Sequence, residues 1–104
     1  MLVVTNSIKV KEGYGRQVAD RFTTAGAVKS MPGFLRLEVW LSQSPKDGAE
    51  EVKVTTLWKD EASFKGWTSS EAFRESHRGA GVAREYMLGA SLDQYELVVS
   101  HKPE

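Results

Sequence analysis

Period-two counting along the segment 2–10, LVVTNSIKV, puts Val4, Asn6, Ile8 and Val10 on one face of a strand. Asn6 is the odd member of that aliphatic row. A buried amide without a partner costs on the order of 1–3 kcal/mol, so it either bonds a neighbouring backbone group or aims into a pocket. His77 follows Phe73 by four residues, which places both on one helix face. That face should look at the sheet, because Phe73 needs burial. A histidine there is either a hydrogen-bonded structural residue or an axial iron ligand, since neutral imidazole binds iron well. Trp67 ends a short helix three residues after Phe64. Trp is most often a core anchor, and Trp40, Trp58 and Phe22 read the same way. His101, near the end of the chain, reads as solvated.

Other chemistries fail for want of parts. A structural or catalytic zinc wants three or four protein ligands, and the chain has two His and no Cys. Haem is the metal-bearing cofactor that one histidine could hold. Gly13-Tyr14-Gly15 lacks the residues that would flank a phosphate loop, and no G-x-S-x-G occurs. No carboxylate pair stands at a recognisable spacing. Fourteen basic residues balance fourteen acidic ones, scattered singly. Such a charge pattern offers nothing to attract nucleic acid or an anionic bilayer. The start of the chain does not read as a signal peptide, and no apolar run approaches the ~20 residues that span a membrane. A cytoplasmic protein is expected.

The elements that must position these residues follow from pattern. After the first strand, Tyr14, Val18, Phe22, Ala25 and Val28 recur at three- and four-residue spacing, predicting one long helix that stops at Pro32-Gly33. A second strand runs from Phe34 to Leu41, with Leu35, Leu37, Val39 and Leu41 expected on one face. After the turn 42–49 comes a third strand, about 51–58. Asp60 suits the N-cap of a helix through Trp67. Thr68-Ser69-Ser70-Glu71 fits a capping box that starts another helix, reaching about Arg78. Residues 79–90 look irregular, and 91–100 read as a last strand.

The order β-α-β-β-α-β is the ferredoxin-like arrangement of an α+β protein, and residues 1–104 are expected to form one domain. Both faces of the sheet carry large apolar groups. Helices would cover one face; the other asks for a second sheet, so a homodimer sharing a barrel is expected.

The segment VKVTTLWKDEASFKGWTSSEAFRESHR (52–78) resembles the strand-helix-helix block of the IsdG-type haem-degrading monooxygenases, within the antibiotic biosynthesis monooxygenase-like superfamily. In that family a Trp is followed ten residues later by the haem-ligating His, here Trp67 and His77. The strand-one Asn matches Asn6, the helix Arg-Phe matches Arg21-Phe22, and Gly33-Phe34 matches the opening of strand two. The resemblance covers about residues 2–100.

That resemblance implies a dimeric α+β barrel binding haem between sheet and helices, as substrate and cofactor together. His77 would ligate the iron, and Asn6 would act on the distal side through iron-bound oxygen. Trp67 would press on the porphyrin and ruffle it, and Phe22 would line the pocket. O2 and electrons open the ring and release iron for nutrition. The electrons come from an external donor, a reductase or small reductant, because the chain has no flavin or nicotinamide motif. Two other readings stay open on this scaffold. One is a cofactor-free quinol monooxygenase, which would not need the Asn6, Trp67 and His77 set. The other is a non-enzymatic haem-binding or transfer module, which turnover would exclude.

Overall fold

The computed structural model describes residues 1–23, 26–76 and 85–104, apart from the side chain of Ser76. Four strands form one antiparallel sheet in the order β2-β3-β1-β4. They are β1 (Leu2–Lys11), β2 (Phe34–Leu41), β3 (Ala49–Trp58) and β4 (Met87–Glu96). β1 is rich in β-branched residues, which suit a pleated, buried surface, and it holds the central place between β3 and β4. Helices α1 (Gly15–Asp20), α2 (Glu61–Thr68) and α3 (Glu71–Ser76) complete the ferredoxin-like order. Among the described residues no helix is long and apolar enough to cross a membrane.

The single long helix expected from Tyr14 onward is broken. α1 ends at Asp20, and Gly26–Ser30 form a separate 3-10 turn. Two local causes compete with the apolar spacing. The Thr23 hydroxyl donates to the Asp20 carbonyl at 2.7 Å, which offers that carbonyl a non-helical partner. Gly26 then takes a φ of 64°, a left-handed value that a helix cannot contain. Ala25, the remaining member of the apolar pattern, lies outside the described residues.

β2 also departs from its expected register. Phe34 stands opposite Trp58 and Arg36 opposite Leu57, so Leu35 is an extra residue in a bulge. The bulge moves Phe34 onto the same face as Leu37, Val39 and Leu41, where its ring meets Trp58 edge-on at 5.5 Å. Leu35 is expelled and exposed. Gly33 permits this approach with a φ of 81°, and a Cβ there would run into the Ser63 side chain.

The last strand begins and ends earlier than its residue types suggest. Met87–Gly89 already pair with β1, whereas Val98 and Val99 lie beyond the strand and are exposed. The pairing partner decides this, because the backbone groups along the β4 edge of β1 need partners from Leu2 to Val10.

α2 starts as expected. The Asp60 carboxylate accepts from the Ser63 amide at 2.8 Å and from its hydroxyl at 2.7 Å. Those two Ser63 bonds hold the Asp60 carboxyl below its usual range. The cap of α3 is Ser70, not Thr68: its hydroxyl accepts from the Phe73 amide at 3.1 Å.

Helices cover one sheet face, and the core beneath them has two parts. Ile8, Val10, Val18, Val52, Val54 and Tyr86 form one cluster. Val4, Val28, Trp58 and Phe64 form the other, and Leu37 touches both. Trp58 is completely buried, its indole N–H donating to the Thr56 hydroxyl at 3.0 Å. Trp40, expected to be a core anchor like Trp58, is instead 52% exposed on the opposite face.

Candidate active site

Asn6 lies on the helix-covered face, between Val54 of β3 and Leu92 of β4. Its same-face neighbours along β1 belong to different clusters: Val4 to the Trp58 group and Ile8 to the Val10 group. The amide therefore occupies the seam of the core. Among the described residues its side chain makes no hydrogen bond, so no backbone group accounts for it. Leu92 beside it is 57% exposed, which leaves the seam open towards β4.

The two aromatics close on this seam from opposite sides. Phe22, just beyond α1, packs against the Ile8 cluster. Trp67, in the last turn of α2, packs against the Val4 cluster. Both are half-buried, keeping part of their rings free for something else. The structure thus brings Asn6, Phe22 and Trp67 to one layer between sheet and helices. His77 lies outside the described residues, directly after α3 in the chain.

Local contacts hold these side chains. The Trp67 carbonyl accepts from the Ser70 hydroxyl at 2.6 Å, and the Trp67 indole meets the Phe73 ring edge-on at 5.4 Å and 88°. Arg21, next to Phe22, donates to the Tyr86 hydroxyl at 2.7 Å. Tyr86 is buried and stacked on Tyr14, with centroids 4.6 Å apart. The Glu50 carboxylate accepts from the Gly13 and Gly15 amides at 2.7 and 3.1 Å, fixing the start of α1 to β3.

Sequence reasoning missed Tyr86, because it falls in a stretch read as irregular. A large aromatic directly before the apolar pair Met87-Leu88 was the available signal. It also missed the Ser70 bridge, which the serine three residues before Phe73 could have suggested.

Between the two clusters the covered face carries two half-buried aromatics and an amide with no hydrogen-bond partner among the described residues, a chemistry suited to a flat, largely apolar ligand that offers a polar atom at one point. A model of the antibiotic biosynthesis monooxygenase family matches residues 1–79. The chain belongs to that family. Within it, a heme-degrading monooxygenase of Bacillus thuringiensis (strain Al Hakam) is 40% identical over 103 residues, spanning 99% of this chain and 95% of the relative. A Bacillus cereus protein described as an antibiotic biosynthesis monooxygenase superposes with a TM-score of 0.82 at 26% identity, covering 98% of this chain and 97% of that one. MhuD, the heme-degrader of Mycobacterium tuberculosis with two hemes bound in its active site, superposes with a TM-score of 0.75 at 31% identity. That match covers 98% of this family member and all of the MhuD chain.

Proposed function

We propose that this chain is a haem-degrading monooxygenase that takes haem as its substrate, opens the porphyrin with O2 and external electrons, and releases the iron. The observation that carries the reading is the Asn6 amide, without a partner among the described residues, at the seam between the clusters that Phe22 and Trp67 pack against. The 40% identical relative and the heme-bound MhuD structure support the same ligand.

Bound haem supplies the iron centre and the carbon bridge that is broken. The chain supplies the surroundings. His77, which follows α3 in the chain, would hold the iron. Asn6 would present its N–H to the bound substrate, where a fixed donor shielded from water stabilises developing negative charge far better than water does. Phe22 and Trp67 would shield the bound ring from water, and the indole would press on it. Electrons arrive from a reductase or small reductant, and the expected setting is the cytoplasm.

A second copy completes the assembly. On the face away from the helices, Trp40 and Tyr95 are both more than half exposed. The Thr55 hydroxyl on that face is buried without a partner. Packing against the same face of another subunit would cover the apolar groups and make a homodimer.

The test is a hemin titration followed by reductant in air. A Soret band that appears on binding and then decays with iron release is expected. A band that persists would make the protein a haem-binding or transfer module, and no band at all would remove haem altogether.

A further inference from the structure

Resting on the reading that Trp67 bounds the haem slot, we propose that Phe73 is a positioning residue that holds the Trp67 indole at its working angle. Four contacts converge on this pair. The two rings meet edge-on, at 5.4 Å between centroids and 88° between planes. The Ser70 hydroxyl donates to the Trp67 carbonyl at 2.6 Å while accepting from the Phe73 amide at 3.1 Å. The Ser70 amide adds a bond to the same Trp67 carbonyl at 3.0 Å. One hydroxyl thus links the last turn of α2 to the first turn of α3 and fixes the two backbones relative to each other.

With the backbones fixed, the rings set each other's rotamers. An indole has a broad terminal torsion, and where it is half-buried the Val4 cluster restrains it on one side. The perpendicular phenyl edge adds a second restraint, because the positive edge of one ring prefers the negative face of the other. A wall that must push on a macrocycle needs such support, since a side chain free to rotate yields instead of pressing. Phe73 therefore acts through Trp67 and has no contact with substrate assigned to it.

The experiment uses the full chain with Phe73→Leu and Phe73→Tyr, each alone and in a Trp67→Phe background. Phe73→Leu keeps an apolar group of useful size, so folding survives; Phe73→Tyr keeps the ring edge. In the haem-free protein, the Trp67 indole NMR signals should shift and average in Phe73→Leu and stay near wild type in Phe73→Tyr. With hemin bound, Phe73→Leu should weaken the out-of-plane resonance Raman modes and slow single-turnover bleaching by about tenfold. Phe73→Tyr should restore both. In the Trp67→Phe background, Phe73→Leu should have little further effect on bleaching. Unchanged Trp67 signals in Phe73→Leu, or an equal loss of rate with Trp67 absent, would overturn the proposal. A wild type that binds hemin without bleaching it would defeat the enzymatic reading alone, because the haem-free signals still report on the pair.

Discussion

The Arg21 guanidinium donates to the Tyr86 hydroxyl at 2.7 Å and ties the chain just beyond α1 to the residue preceding β4. Sixty-five positions separate the two in sequence. The bond sets where Phe22, the next residue, enters the seam. Tyr86→Phe keeps the ring and its stacking on Tyr14 but removes the acceptor. Arg21 is exposed and regains water, so the loss should be about 1 kcal/mol, or roughly 4–8 °C in Tm for a domain of this size. Thermal unfolding of the haem-free protein checks it; an unchanged Tm means the bond contributes nothing to holding α1.

Asn6→Ala should leave the Tm unchanged, because no folded-state hydrogen bond is lost among the described residues. Removing one preorganised donor to a developing charge typically costs about 10²–10³ in rate. Single-turnover bleaching of the haem-loaded variant should fall by that factor while the Soret band stays near its wild-type position. A lowered Tm with normal bleaching per loaded molecule would make Asn6 a structural residue.

His77→Ala should lower haem affinity and abolish turnover, with the haem-free protein still folded. Circular dichroism and a hemin titration on the same sample check both halves. Wild-type binding and bleaching in this variant would remove His77 as the axial ligand.

The two tryptophans read alike from sequence should respond oppositely. Trp58→Ala empties a fully buried site and should cost about 3–5 kcal/mol in denaturant unfolding. Trp40→Ala removes an exposed ring whose indole N–H bonds Glu38 at 3.2 Å on the same strand. Its fold should stand, and its effect should appear as weaker self-association in light scattering. A wild-type chain that scatters as a monomer of about 12 kDa at micromolar concentration would refute the paired-sheet assembly.

Asp60→Ala should lower the Tm at neutral pH by removing the cap of α2. The carboxyl is held below its ordinary 3.8 by its Ser63 bonds. A group lowered on folding stabilises above its unfolded pKa and loses that contribution as pH falls through the folded one. The gap in Tm between wild type and variant should therefore narrow below about pH 4 and close in stronger acid. A gap independent of pH would mean that the ionised carboxylate is not what caps the helix.

The parts of this protein that its sequence determined by itself are those set by local periodicity and capping. β1 alternates strictly enough to place Asn6 on the covered face, Asp60 caps α2, and Trp67 falls in its last turn, each within a few bonds of its cause. The order of elements follows from the same signals. Tertiary structure decided the rest, because it depends on which partner each segment meets. The bulge at Leu35 exists to bring Phe34 onto Trp58, and a one-residue slip exchanges the faces of everything before it. α1 ends early because a threonine hydroxyl and a left-handed glycine outweigh an apolar spacing that continues past them. Trp40 and Trp58 differ only in which side of the sheet the helices occupy. Whether the Asn6 amide would find a backbone partner, and whether Phe73 would meet Trp67 edge-on, were likewise matters of three-dimensional packing. Propensity acts along the chain, whereas an unpaired amide and a braced indole are properties of neighbours that the chain brings together only when it folds.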